Sequence, residues 1–552
     1  MIFPPMNYRP NYHFSPSDGW MNDPNGLFYL DRVWHLYFQY YPHAPEHGPM
    51  HWGHATSRDF LHWEEQPIAL FPDASRYIFS GSVVVDHDNT SGFGDGTRPP
   101  VVALYTAHDA LKAKASGATA LGTETQALAY SLDGGTTWAH YEGNPVLPNP
   151  GIRDFRDPKV IWDAERGRWV MVLAAQDRVH FYSSANLREW AFLSEFGAGL
   201  GAHGGVWECP DLFSMRVEQV HGEPPPPDAE LKWVLLVSLN PGGPLGGSAT
   251  QYFVGDFDGT HFRPEKKFSR PANRSGEAVP PVFVSRAPSR QALDIMRSPY
   301  AWLDWGRDNY ASVLFNNAPD ERRVMIGWMS NWDYAKKLPT AAAGWLGQMT
   351  IPRQLILANT AVSGYVLKCH PPEEIVGSFD PTRRIKRAGT LNFDGPLPKA
   401  GIAPIATLIE SGQLDLTKAV ITVKVRQMTP LGCYMFLLCN EDGEQLEITH
   451  HNGIPGTPVV INRKDSGDCE FSKKFAQPDA VAPITPIKEV GLHCSEANFM
   501  FVLDRTSVEV FLNGGERVVT SLVFPKSPYT MLLYSADVPD STYAIDANEI
   551  SL

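Results

Sequence analysis

The chain has 552 residues and a formal net charge of −14, from 47 Lys and Arg against 61 Asp and Glu. Hydrophobic residues make up 43% and charged residues 20%, which excludes global disorder and provides enough apolar surface for a sizeable core. The acidic surplus repels phosphate backbones and anionic lipid, so neither a nucleic-acid binder nor a membrane protein is expected.

The N-terminal Met-Ile-Phe-Pro-Pro-Met-Asn-Tyr-Arg-Pro lacks a basic start followed by an apolar run, and no stretch reaches the ~20 apolar residues of a membrane span. A cytoplasmic location is expected, with secretion only if a signal has been removed. Along the chain, Val33–Tyr41, Val101–Ala107, Trp169–Ala174 and Trp233–Leu239 read as strands. Each is followed by a turn that ends on an aromatic: Ser57–Trp63, Ser131–Trp138, Ser184–Trp190 and Gly255–Phe262. A strand-rich unit repeating roughly every 50 to 75 residues is the pattern of propeller blades. The pair Tyr310–Phe315 and Arg323–Trp328 supplies a degenerate fifth unit. Helical periodicity is scarce. Ala110–Leu121 reads as a loop insertion because of Gly117 and the Thr-rich stretch after it. Ser285–Arg297 reads as another insertion, and Glu223–Asp228 as a polyproline excursion between strands.

Beyond residue 357 the pattern changes. Residues 358–384 read as a linker, in which Pro371-Pro372-Glu373-Glu374-Ile375 opens a short helix. From residue 385 onward, alternating positions such as Ala419, Ile421, Val423 and Val425, and Val508, Val510 and Leu512, predict half-buried antiparallel strands, with Asn513-Gly514-Gly515 as a hairpin turn. The fold class is therefore all-β: a five-bladed β-propeller over 1–357 and a β-sandwich over 385–552. Six cysteines without a Cys-x-x-Cys indicate neither a zinc site nor a disulfide framework. The sequons at Asn89 and Asn273 matter only in a secreted chain.

Three acidic clusters carry chemistry: Trp20–Gly26 with Asp23, Phe155–Lys159 with Asp157, and Trp207–Asp211 with Glu208. Each acid stands where a strand begins or ends. Pro24 and Pro158 bias Asp23 and Asp157 toward extended backbone. Inner strands of a propeller converge on one axis, so three acids from three blades meet in one pocket. Glycoside hydrolysis needs such a cluster. One carboxylate attacks the anomeric carbon, one acid protonates the leaving oxygen, and crowding drives their pKa values apart. The chain's 15 Trp and 20 Tyr suit both strands and sugar rings.

On these residues the sequence resembles glycoside hydrolase family 32, the invertase, inulinase and fructan-active enzymes. Trp20–Gly26, Arg156-Asp157-Pro158 and Glu208-Cys209-Pro210-Asp211 match its three motifs. Trp52–Ala55, Phe79–Ser82 and Trp328–Trp332 match further stretches. The resemblance implies Asp23 as nucleophile, Glu208 as acid/base, and Asp157 as the residue that binds fructose hydroxyls. It implies Arg156 as their orienting partner. It further implies Asn22, Gln39 and Ser80 as hydrogen-bonding partners of the fructosyl ring, and Trp52, Phe79 and Trp332 as its apolar wall. No metal or other cofactor is implied. The expected substrates are sucrose and fructo-oligosaccharides, cleaved by a retaining β-fructofuranosidase. Alternatives are a fructosyltransferase making kestose-type products, an exo-inulinase and, remotely, a non-catalytic sugar-binding protein. Two positions depart from the family pattern, His47 and Leu346, where relatives carry Trp and Arg. Pairing of exposed sandwich strands between subunits would give a homo-oligomer.

Overall fold

The computed structural model describes residues 8–116, 121–219, 223–268, 300–360, 363–391, 405–427, 432–452, 458–476, 480–483, 488–489, 495–537 and 541–552. Five antiparallel units surround one axis. Blade I comprises Gly19–Leu30, Val33–Tyr41, His51–Ser57 and Trp63–Leu70. Blade II comprises Arg76–Val85, Val101–Asp109, Glu124–Ser131 and Ala139–His140. Blade III comprises Phe155–Asp163, Arg168–Ala175, Arg178–Ser184 and Ala191–Phe196. Blade IV comprises Val206–Glu218, Leu231–Asn240, Ala249–Phe257 and Phe262–Pro264. Blade V comprises Tyr310–Leu314, Val324–Trp328, Arg353–Thr360 and Gly364–His370. Asn316 joins the last blade to the first: its N–H donates to Leu27 O and its carbonyl accepts from Tyr29 N.

The recurrent turn–aromatic pattern has one physical origin. In blades I to IV it is the turn between the third and fourth strands. Asp59, Asp133, Asn186 and Asp258 each accept backbone N–H groups two to four residues onward, which closes a tight side-chain-capped turn. In three of the four, the terminal indole then donates back to a carbonyl of the turn: Trp63 to Phe60, Trp138 to Gly135 and Trp190 to Leu187.

Two insertions differ from expectation or fall outside view. Ala110–Ser116 is a helix and not a loop, because Asp109 accepts the Lys112 N–H at 2.9 Å as an N-cap and the residues behind it are Ala-rich. Ser285–Arg297 and the sequon at Asn273 lie outside the described residues. The expected linker at 358–384 holds the end of one strand, the whole of Gly364–His370, the helix Glu373–Val376 behind Pro372, and the start of Phe379–Leu391.

The C-terminal part is a two-sheet sandwich. Ile421, Val423, Phe499 and Phe501 of one sheet meet Phe436, Ile448 and Tyr534 of the other, all fully buried. One expectation is corrected here. Ser507–Leu512 is not half-buried but buried on both faces, because its outer face packs on the propeller. Glu509 there accepts from Ile351 N, from Arg353 and from His13. A second crossing runs from Arg463 to Asp308 and Tyr334. Cys209, Cys369, Cys439 and Cys469 carry free thiols.

Candidate active site

All five innermost strands lose their pairing register at the same level of the axis. The shifts fall between Met21 and Pro24, Ile78 and Gly81, Glu208 and Asp211, Tyr310 and Val313, and opposite Leu173 in blade III. A β-bulge re-aims a side chain that regular pleating would turn into the blade. Here the bulges present Asp23, Ser80, Asp157 and Glu208 together. Asp157 corrects the sequence reading, because its φ is +66° and not extended. Its N–H donates to Thr106 Oγ1 at 2.9 Å, and its Oδ2 accepts from Cys209 N at 2.9 Å, so the bulge conformation is held from both sides. Gly26 closes the first motif with φ +53°. A Cβ there would come within 2.9 Å of Trp52 and Val83.

Each acid has its own environment. Asp23 Oδ2 accepts from Ser80 Oγ at 2.9 Å and contacts Cys209 Sγ at 3.5 Å, while Oδ1 is buried, with the Asn22 side chain beside it. Burial, helped by the Glu208 charge and opposed by the Ser80 hydrogen bond, raises the Asp23 carboxyl to about 6. Asp157 is pushed up to about 8, first by burial and then by Glu208 and Asp23, against the pull of Arg156. Arg156 grips Glu208 Oε1 through Nη2 at 2.9 Å and Nε at 3.2 Å, and its Nη1 bonds Glu124 and Asp154. Glu208 Oε2 accepts from the Tyr310 hydroxyl.

The other expected residues fall into place unevenly. Asn22 is buried and accepts from the Trp20 indole at 2.7 Å. Gln39 is buried and donates to Ile78 O. Ser80 touches Asp23 itself. Trp52 is fully buried, its indole N–H donating to Phe79 O at 3.0 Å, so it supports the half-buried Phe79 from beneath. Phe79 in turn stacks on His108 at 4.4 Å. Trp332 stacks on Trp20 at 5.9 Å, and His47 sits edge-on to both rings at 6.0 Å. Leu346 pairs with Trp20 in parallel register and is buried.

Sequence reasoning missed Glu124, Thr106 and Tyr310. Glu124 holds Arg156, and it also caps Phe155 N at 2.7 Å. The one available signal was a charged residue opening the otherwise neutral strand Glu124–Ser131. Among the described residues no group of three His, Cys, Asp or Glu side chains is placed to hold a metal ion.

A buried carboxyl coupled to a second carboxyl that is held by a guanidinium and a phenol, at the axis of a propeller, is the apparatus of a glycoside hydrolase. Comparison with known proteins narrows the class. The glycosyl hydrolases family 32 N-terminal domain matches residues 13–371, and the family 32 C-terminal domain matches 403–545. A levanase of Bacillus subtilis is 39% identical over 96% of this chain and 68% of its own length. An extracellular exo-inulinase of Aspergillus ficuum is 36% identical over 94% of this chain and 90% of its own. The crystal structure of an exo-inulinase from Aspergillus awamori superposes with a TM-score of 0.80 at 33% identity, covering 100% of this chain and 99% of that one. A β-fructofuranosidase from Schwanniomyces occidentalis, complexed with fructosyl-erythritol, gives 0.78 at 27% identity, covering 99% and 98%. The chain belongs to glycoside hydrolase family 32, and it is a fructofuranosidase-type enzyme.

Proposed function

We propose that this enzyme is a retaining, exo-acting β-fructofuranosidase that removes terminal fructosyl groups from fructo-oligosaccharides and fructans, and that also cleaves sucrose. The observation that carries the mechanism is the convergence of two differently held carboxyls: Asp23, whose Oδ2 is tied to Ser80, and Glu208, held by Arg156 and Tyr310. The Asp23 carboxylate attacks C2 of the fructosyl ring while Glu208 delivers its proton to the leaving oxygen. The departing sugar carries that proton away, and a fructosyl ester forms on Asp23. Water then enters, Glu208 takes its proton, the ester bond breaks and free fructose leaves. Asp157 holds ring hydroxyls, and Arg156 orients Glu208 with charge-assisted hydrogen bonds. Phe79 and Trp332 wall the ring, backed by the buried Trp52 and Trp20.

The invertase expectation is broadened by the relatives, whose names point to levan and inulin. Two digests test the reading. With inulin and levan, free fructose must appear from the first minutes without intermediate oligosaccharides; a ladder of oligosaccharides would refute exo action. With sucrose over a range of concentrations, equal glucose and fructose mean hydrolysis. A growing excess of glucose means that a sugar hydroxyl captures the fructosyl-enzyme, the transferase alternative.

A cytoplasmic location is a further proposal, supported by the free thiols at Cys209, Cys369, Cys439 and Cys469. No described helix is long and apolar enough to cross a membrane. Activity recovered in the culture medium and not in the cell lysate would refute the cytoplasmic placement.

A further inference from the structure

Glu208 has to carry a proton to the leaving oxygen, yet it sits in an ion pair. Arg156 Nη2 and Nε lie 2.9 and 3.2 Å from its Oε1. A guanidinium beside a carboxyl favours the charged form, and a charged Glu208 has no proton to deliver. The other groups that face Glu208 do not offset that pull with the right geometry. The Tyr310 hydroxyl bonds Oε2, and the Asp23 and Asp157 carboxyls and the Cys209 thiol are its further titratable neighbours.

The remaining nitrogen of the guanidinium supplies the balance. Arg156 Nη1 lies 3.1 and 3.3 Å from the two oxygens of Glu124 and 2.9 Å from Asp154 Oδ1. These contacts link three blades. Glu124 opens the third strand of blade II, Arg156 stands on the innermost strand of blade III, and Glu208 on that of blade IV. Glu124 is buried and held on several sides: Oε2 accepts from Phe155 N at 2.7 Å, and His108 Nδ1 lies 3.4 Å from Oε1. Burial raises the Glu124 carboxyl, but Arg156, His108 and the Phe155 N–H overcome this and hold it below the usual glutamate range. It therefore meets Arg156 as a carboxylate. Burial also works against the Arg156 charge, and Glu124 supports that charge more strongly than Glu208, Asp157 or Asp154 does.

We infer that Glu124 is a positioning residue of the acid step: it matches the Arg156 charge from blade II, so that the guanidinium orients Glu208 without stripping its proton. Asp154, on the more exposed side of the same nitrogen, adds a smaller share. The inference rests on the fructosidase reading and deepens it. It separates the two things Arg156 does, since a hydrogen-bond fork survives when its charge is matched elsewhere.

The test is Glu124→Gln in the full chain, which keeps the shape and an oxygen for the Phe155 N–H and removes the charge. Two substrates are compared by kcat/KM. Sucrose needs its leaving oxygen protonated, whereas a nitrophenyl β-fructofuranoside releases a stable phenolate without a proton. For sucrose the loss is expected to be about 10-fold, a part of what general acid catalysis contributes, and for the aryl substrate less than about 2-fold. An equal loss on both substrates would mean a general distortion of the site and overturns the inference, as does no loss on either. Added to Glu208→Gln, Glu124→Gln should cost sucrose hydrolysis less than about 2-fold more, because the two act on one proton. Multiplied losses in the double variant overturn the inference as well. If Glu124→Gln does not fold, Asp154→Asn decides on the same two substrates: a loss confined to sucrose supports the charge balance, and an unselective loss or none refutes it. Failure of the fructosidase reading would show separately, as no hydrolysis of either substrate by the native chain.

Discussion

Tyr310, at the first position of the last innermost strand, donates its hydroxyl to Glu208 Oε2 from a blade adjacent to the one that carries the acid. Arg156 holds the other oxygen of the same carboxyl from the opposite side. Glu208 is therefore clamped between blades III and V, and its orientation depends on the closure of the ring of blades.

Tyr310→Phe removes one of these holds with little change in volume. A hydrogen bond to a charged group contributes about 1.5–3 kcal/mol, so kcat/KM should drop by about 10- to 100-fold. The drop should fall mainly on kcat, with thermal stability nearly unchanged. Steady-state kinetics beside a melting curve check this. A loss confined to KM would contradict an orienting role.

Glu208→Gln removes the proton donor and should lower turnover of sucrose by about 10²- to 10⁴-fold. A substrate with a good leaving group needs no protonation, so with such a substrate the first step should recover and the fructosyl-enzyme should accumulate. Mass spectrometry of the intact chain, looking for a covalent fructosyl adduct that is absent in Asp23→Asn, checks both roles at once.

The pH profile follows from Asp23. The nucleophile must be ionised, and burial beside Glu208 raises its carboxyl to about 6. Activity measured as kcat/KM should therefore fall as pH drops through about 6, a region in which an ordinary aspartate would be fully charged. Ser80→Ala removes a hydrogen bond that favours the charged form, so the acid limb should move to higher pH.

His13 lies at the junction of propeller and sandwich, bonded to Asp504 Oδ2 at 2.8 Å and Glu509 Oε1 at 2.9 Å with no exposed surface. Burial disfavours its charged form, but the two carboxylates overcome this and raise the imidazole to about 9. The folded value lies above the unfolded value of 6.5, so the stabilisation is complete below pH 6.5 and lost as pH rises through about 9. Melting temperature should fall across that window, and the slope should flatten in His13→Gln.

Glu509→Gln tests the same junction. It leaves Arg353, which is fully buried, with only Asp304 as a charged partner. Breaking a buried pair typically costs about 3–5 kcal/mol. Chemical denaturation should show the loss as a lower midpoint, while sucrose hydrolysis at low temperature is retained.

Much of this protein was legible in its residues. The strand positions, the five-fold repetition and the three acids follow from local chemistry: side-chain-capped turns, alternating burial, and acids in rigid apolar settings. These signals act within a few residues, and sequence order displays them directly. Other features depended on contacts between distant parts of the chain. The φ of Asp157 overrides the preference imposed by Pro158, because Thr106 and Cys209 hold the bulge from neighbouring strands. Ser507–Leu512 reads as half-exposed sheet and is buried, because Glu509 finds its partners near residues 13 and 353. The helix at Ala110–Ser116 reads as a loop because of Gly117 and the Thr-rich stretch behind it, and it forms because Asp109, at the end of a strand, caps it. Ser80, which the family pattern assigns to the sugar, bonds Asp23. Sequence by itself determined which groups could do chemistry. The closing of five blades decided how each carboxyl is held, since that depends on donors brought in from other strands.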